Sequence, residues 1–87
     1  MGLIDKINQD GKLSATHQEL KMTLKLGILY RIVNKKLTKI SDITFKLLLP
    51  GDDPRTPTIF ALADNNDIWA YYIRYSQSKT YFEKLDP

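Results

Sequence analysis

Leu20-Lys21-Met22-Thr23-Leu24-Lys25-Leu26-Gly27-Ile28-Leu29-Tyr30-Arg31-Ile32 is the stretch that decides the fold class. An apolar residue stands at every even position from Leu20 to Ile32, with Lys21, Thr23, Lys25 and Arg31 among the residues between. Successive side chains of a strand point to opposite faces, so this spacing predicts one apolar and one largely basic face. Read as a helix, the same stretch puts Leu20, Leu24, Ile28 and Ile32 on one side and Met22, Leu29 and Val33 on the other. No polar stripe remains, which does not suit a helix bearing Lys21, Lys25 and Arg31. Thr16-His17-Gln18-Glu19 fits a capping box ahead of the apolar residues and is the signal on the helical side. The strand reading is preferred.

A straight strand over residues 20–32 would be about 43 Å long. A domain of 87 residues is only about 30 Å across. The strand is therefore expected to bend, and Gly27, which has no Cβ to resist, is the expected corner.

Downstream the pattern continues as an antiparallel meander. Asn34-Lys35-Lys36 reads as a turn. Ile43, Phe45, Leu47 and Leu49 alternate with Thr44, Lys46 and Leu48 as a second strand, and Ser41-Asp42 reads as a bulge that corrects the parity of Ile40. Pro50, Pro54 and Pro57 end that strand. At the termini, Leu3, Ile4 and Ile7 line one face of a short helix closed by Gly11. Ser78 is placed to cap a final helix bearing Tyr81, Phe82 and Leu85. The expected fold class is α+β, mostly antiparallel β. It is a small meander sheet or partly open barrel of about four strands with short terminal helices. Residues 1–87 are read as a single domain.

Thr58–Ala63 and Ile68–Tyr75 flank Asp64-Asn65-Asn66-Asp67. Asn tolerates positive φ, so Asn65-Asn66 is expected at the centre of a tight hairpin turn that pairs Leu62 with Trp69 and Phe60 with Tyr71. One face then carries Phe60, Leu62, Trp69, Tyr71 and Ile73, and the other Ile59, Ala61, Ala63, Ile68, Ala70 and Tyr72. Both are apolar, whereas a sheet wetted on one side alternates with polar residues. The protein's own helices or the far side of a barrel supply one cover; a second copy or a different protein supplies the other. Aromatic residues are favoured in such contacts. Ile59, Ile68, Trp69, Tyr71, Tyr72 and Tyr75 are the candidate protein-interface residues.

Charge is uneven. Residues 20–46 hold seven basic residues, Lys21, Lys25, Arg31, Lys35, Lys36, Lys39 and Lys46, against one acid, Asp42. These are the candidate nucleic-acid-binding residues, since a basic sheet face neutralises phosphates. The plainer reading is a solvated face whose lysines guard a strand edge. Ten lysines against three arginines make bidentate phosphate or guanine contacts scarce.

Catalytic and metal constellations fail in turn. The chain has no cysteine and one histidine, too few for a zinc site and with no partner set for a hydrolytic triad. Asp64-Asn65-Asn66-Asp67 lacks the glycine and distal glutamate of a calcium loop. The four glycines are isolated, so no phosphate-cradling loop is present. No apolar run reaches the ~18 residues of a membrane helix. The expectation is a non-enzymatic, cytoplasmic or host-intracellular protein with no cofactor, metal or small-molecule substrate. Two functions fit. One is a protein-binding module that self-associates, or inhibits or scaffolds a partner, through its aromatic hairpin. The other is a small single-stranded nucleic-acid-binding protein on the basic face of 20–46. What separates them is whether exposed aromatic side chains share a surface with Lys21, Lys25 and Arg31.

Overall fold

The computed structural model describes residues 2–85. In chain order they form α1 (Leu3–Asp10), β1 (Ser14–His17), β2 (Leu20–Lys25), β3 (Ile28–Val33), β4 (Lys36–Pro50), β5 (Thr58–Ala63), β6 (Ile68–Arg74) and β7 (Lys79–Lys84). The seven strands make one antiparallel sheet in sequential order, so the expected mostly-β meander is present with seven strands rather than four.

The extra strands come partly from residues 20–32, which form a hairpin and not one bent strand. Leu26 and Gly27 have φ of 51° and 80°, the positive pair that a two-residue type I′ turn requires. Leu24 then faces Leu29 and Met22 faces Arg31. Leu20, Met22, Leu24 and Leu29 are buried, while Leu26 is fully exposed at 102%. Ile28, Tyr30 and Ile32 pass to the outer face, because facing residues of a ladder share one side of the sheet. Thr16 and His17, the start of the capping-box pattern on the helical side, lie in β1.

The length argument applies to β4. Its fifteen residues would span about 50 Å if straight, in a molecule whose longest dimension is 30 Å. Two irregularities bend it. Ile28 faces Thr44 but Tyr30 faces Lys39, so Ile40 to Ile43 stand opposite Leu29 alone. The Ser41 hydroxyl accepts the Ile43 N–H at 3.3 Å, and Ile40 and Ile43 both pack on the core. The Ser41-Asp42 bulge is thus where the parity of Ile40 placed it. A second shift opposite Leu62–Ala63 leaves Lys46 unpaired, and Phe45 and Leu48 turn to one side as a result. The first half of β4 pairs with β3 and the second with β5, so the sheet coils around this strand. Lys12 and Leu48 exchange backbone hydrogen bonds of 2.9 and 2.7 Å, and Leu24 N–H donates to Leu13 O at 2.8 Å. These draw the chain ahead of β1 against β4.

The inner faces of the coiled sheet enclose the main core, which includes Met22, Leu29, Phe45, Leu48, Ile59 and Tyr71. On the outer face of β4 and β5 lies α1. Ile7 packs there with Leu49 and Leu62, flanked by Leu3, Ile4 and Phe60. Gly11 ends α1 as expected, with its N–H donating to Ile7 O at 2.7 Å, but at φ −65° rather than in the left-handed region. Its role is close approach, since a Cβ there would lie 2.3 Å from Ile7 O.

The β5–β6 hairpin is out of the expected register by one residue. Leu62 faces Ile68, Ala61 faces Trp69 and Ile59 faces Tyr71. Only Asn66 of the turn has positive φ, at 71°, so a two-residue type I′ turn does not form. Asn66 N–H donates to Ala63 O and Ala63 N–H to Asp67 O, at 2.9 and 2.8 Å. That is a three-residue loop ending in a left-handed residue. The shift moves Trp69, Tyr71 and Ile73 onto the same side as Ile59 and Ala61, facing the core.

The expected final helix is β7. A 3₁₀ turn over Tyr75–Gln77 closes on Ser78, at φ 48°. Alternation then sends Phe82 inward to stack on Trp69 at 4.8 Å and Tyr81 outward to stack on Tyr72 at 5.3 Å.

Candidate binding face

The outer side of β2, β3 and the first half of β4 gathers most of the expected basic residues. Lys21 and Lys25 are exposed on alternate positions of β2, with Thr23 between them. Thr23 faces Tyr30, and Tyr30 faces Lys39. One row across the strands therefore sets the tyrosine ring between two polar strands. Ile28 faces Lys25, and Ile32 faces the exposed Leu37. The result is a half-buried apolar stripe, Ile28-Tyr30-Ile32, with lysines on both sides. Asn34 and Lys35, at φ 51° and 66°, form a second turn with both residues positive, as Asn34-Lys35-Lys36 predicted. It carries Lys35 and Lys36 at the end of the same hairpin.

Electrostatically the face is one-sided. Asp42 Oδ1 lies 2.5 Å from Lys39 Nζ, and both groups are exposed. The hydrogen bond between them, then their opposite charges, holds the Lys39 ammonium above its ordinary range and the Asp42 carboxyl below its own. Asp42 is the only acid between residues 20 and 46.

Two of the seven basic residues lie elsewhere. Arg31 shares the inner side with Met22. Its Nη1 donates to Tyr71 Oη at 3.3 Å, and its guanidinium carbon is 5.7 Å from the Tyr71 ring centre. Arg31 Nε is buried with no hydrogen-bond partner among the described residues. Lys46 donates to Asn66 Oδ1 at 2.9 Å, on the β5–β6 turn. So Lys21, Lys25 and Lys39 share a face, Lys35 and Lys36 stand at its end, and Arg31 and Lys46 do not join them.

The candidate interface residues are divided. Ile59 and Tyr71 are 1% and 8% exposed and belong to the core. Trp69 is half-buried against that core, and Ile68 is half-buried in the cluster beneath α1. Tyr72 lies on the outer side of β6. Tyr75 is half-exposed in the turn after it, its hydroxyl donating to Glu19 Oε1.

Around these last two the structure assembles a cluster that the sequence reading did not collect. Arg74 stands 5.7 and 5.6 Å from the ring centres of Tyr72 and Tyr81, and Lys79 Nζ is 5.3 Å from that of Tyr81. A cleft of about 380 Å³ beside them is lined by Arg55, Thr56, Tyr72, Arg74, Tyr75 and Ser76. Its cations have counter-charges close by. Asp53 accepts from Arg55 at 3.3 Å, and Glu83, after burial, helps hold the Tyr72 hydroxyl above its ordinary range. On the lysine face of β2–β4 Lys39 is paired with Asp42, whereas no carboxylate lies within ion-pair distance of Lys21 or Lys25 among the described residues.

His17 is structural here. Its Nδ1 accepts the Thr58 N–H at 2.9 Å, so β1 is pinned to the start of β5. Gln18 Nε2 donates to Pro54 O at 2.6 Å and secures the same loop. Among the described residues, no group of three or more His, Cys, Asp or Glu is placed to hold a metal ion. No described helix is long and apolar enough to cross a membrane. Comparison of the chain with protein-family models, with curated protein sequences and with solved structures finds no match.

Proposed function

We propose that this chain is a small, non-enzymatic protein that binds single-stranded nucleic acid on the outer face of β2, β3 and β4. The observation that carries the reading is the row Thr23–Tyr30–Lys39. It sets an aromatic ring on the same face as Lys21, Lys25 and Lys39, in a stretch, residues 20–46, whose one acid is Asp42. Lysine ammonium groups neutralise phosphates as point charges, and a half-exposed ring gives an unpaired base a stacking surface. Bases within a duplex already stack on one another, so an open sheet face with a central ring favours unpaired strands. Lysine lacks the planar fork that reads guanine, so sequence preference is expected to be weak. Arg31, turned inward, has no part in it.

The test is fluorescence anisotropy with a labelled random single strand, titrated from 50 to 200 mM salt. Affinity should fall steeply, with a log–log slope of about −0.7 per phosphate neutralised. Lys21→Glu or Lys25→Glu should reduce that slope by about one unit, while Lys6→Glu, on α1, should leave it unchanged. Tyr30→Ala should cost about 1–3 kcal/mol in binding. Absence of binding at 50 mM salt would overturn the proposal. So would equal losses from Lys6 and Lys21.

A further inference from the structure

β7 ends the sheet, and its outer edge has no strand beside it among the described residues. Two backbone hydrogen bonds set the phase of that edge. Ile73 N–H donates to Pro57 O at 3.1 Å, and Leu85 N–H donates to Ile68 O at 2.8 Å. In an antiparallel ladder alternate residues turn their backbone groups to opposite neighbours. Odd residues of β6 therefore serve β5 and even ones serve β7. Ala70, Tyr72 and Arg74 face Glu83, Tyr81 and Lys79. This leaves Thr80, Phe82 and Lys84 directing their N–H and C=O groups outward.

We propose that two copies of this chain join through this edge, β7 against β7 in antiparallel pairing, with Tyr81 on the two-fold axis. Outward-facing residues must meet one another, so even numbers pair with even numbers and the axis passes through a residue, never between two. Only a few registers satisfy this. With the axis at Phe82, Lys79 would face the partner's Leu85 and Glu83 the partner's Tyr81. With the axis at Thr80, Lys79 would face the partner's Tyr81 and half the strand would go unpaired. With the axis at Tyr81, Lys79 faces the partner's Glu83 and Glu83 faces the partner's Lys79. Thr80 and the partner's Phe82 exchange backbone hydrogen bonds, as do Phe82 and the partner's Thr80. Opposite charges on facing residues of a ladder are favourable and like charges are not.

Charged side chains, lysine above all, and proline blunt an edge when the pairing leaves them unmatched; across this axis Lys79 and Glu83 match, and Lys84 faces the partner's Ser78. The edge is self-complementary. The pairing would also bring the Tyr72–Tyr81 stacks of the two copies together on the outer side of one continuous sheet. This surface is separate from the lysine face of β2–β4, so either proposal can fail without the other.

Sedimentation equilibrium of the full chain at tens of micromolar, in 50 mM salt, tests the inference. The expected mass is twice the 10.1 kDa of one copy. Glu83→Lys alone and Lys79→Glu alone each place two like-charged pairs across the axis, and each should weaken association about ten-fold or more. The double variant Lys79→Glu/Glu83→Lys restores opposite charges and should restore the dimer. Thr80→Pro removes an outward N–H while leaving the ladder to β6 intact. It should give a monomer with an unchanged far-UV spectrum. In a chain with no cysteine of its own, Tyr81→Cys should form a disulfide-linked dimer on mild oxidation and Phe82→Cys should not. A wild-type monomer at 100 µM would overturn the proposal. A double variant no stronger than the single ones, or faster cross-linking through Phe82→Cys, would overturn the register.

Discussion

Replacing Leu26 by Asn should make this protein more stable, although it removes a large apolar residue from a stretch of alternating apolar residues. Leu26 sits at φ 51° with its side chain fully in solvent. A left-handed conformation costs a residue with a Cβ about 1–2 kcal/mol, and Asn, which bonds locally to its own backbone, bears much less of that cost. No burial is lost, because there is none. The expected gain is about 1 kcal/mol, which for a domain of this size raises the melting temperature by about 4–8 °C. Urea titration followed by far-UV circular dichroism should show a higher midpoint with an unchanged slope. Were residues 20–32 one strand bent at Gly27, Leu26 would lie on the apolar face beside Leu24 and Ile28. Truncating it would then destabilise by about 2–5 kcal/mol, as core leucine changes do. The two accounts differ in sign, so a clear loss of stability refutes the hairpin. Gly27→Ala is the companion measurement. The nearest atom to an added Cβ is 3.6 Å away, so the cost is conformational, about 1 kcal/mol from φ 80°.

Ile7→Ala should destabilise by about 2–4 kcal/mol in urea titration, since Ile7 is fully buried between α1 and the sheet; a loss below about 0.5 kcal/mol would mean that α1 does not dock there. Arg31→Met removes a buried Nε with no partner among the described residues but also the donor to the Tyr71 hydroxyl, so its net cost should be at most about 1 kcal/mol and the salt slope for nucleic acid should be unchanged; a loss above about 2 kcal/mol would refute this. The Arg55 backbone N–H, 2.9 Å from Asp53 Oδ1, and then the Arg55 guanidinium hold the Asp53 carboxyl below its ordinary range. A carboxyl depressed by folding stabilises above the unfolded value near pH 3.9, and that stabilisation is lost as pH falls through the folded value. Asp53→Asn should therefore flatten the acid limb of urea midpoints measured from pH 7 to pH 2, and coincident limbs would refute the assignment.

Where the side-chain pattern was anchored by a residue that can do only one thing, the sequence was readable. Three prolines ended β4 where they had to, Gly11 closed α1, and the mismatched parity of Ile40 placed the bulge at Ser41-Asp42. The two misread hairpins share one cause. A tight turn was expected only where its residues favour positive φ. Asn65-Asn66 looked like such a pair but supplies one left-handed residue, which moved the hairpin register by one. Leu26-Gly27 did not look like one, because leucine is a poor occupant of the left-handed region, yet tertiary packing holds it there. That hidden turn also concealed the candidate binding face. β3 is apolar on both sides, so alternation continued through the turn and assigned Tyr30 to the core and Arg31 to the surface, the reverse of where they lie. The cluster of Arg74, Lys79, Tyr72 and Tyr81 was legible only to a reading that took 79–84 as a strand. Ser78 and the aromatic spacing gave the helix equal claim.

The coiled sheet gives a physical reason for looking at the β2–β4 face for function. Each half of the sheet presents an outer side with apolar residues on it. On β4 and β5 that side is closed by α1, and Leu49 and Leu62 are buried beneath Ile7. On β2 to β4 the corresponding residues, Ile28, Tyr30 and Ile32, stay half-buried among the described residues, with lysines on both flanking strands. A lysine so placed lays its aliphatic stem along neighbouring apolar surface and holds its ammonium in water. On that general behaviour the flanking lysines would shield the stripe with their stems while presenting positive charge around it. A binding partner would need to displace only flexible stems, and those stems end in the groups that attract it. Under the function proposed above, phosphates would draw the ammonium groups outward and an unpaired base would take the place of the stems against Tyr30.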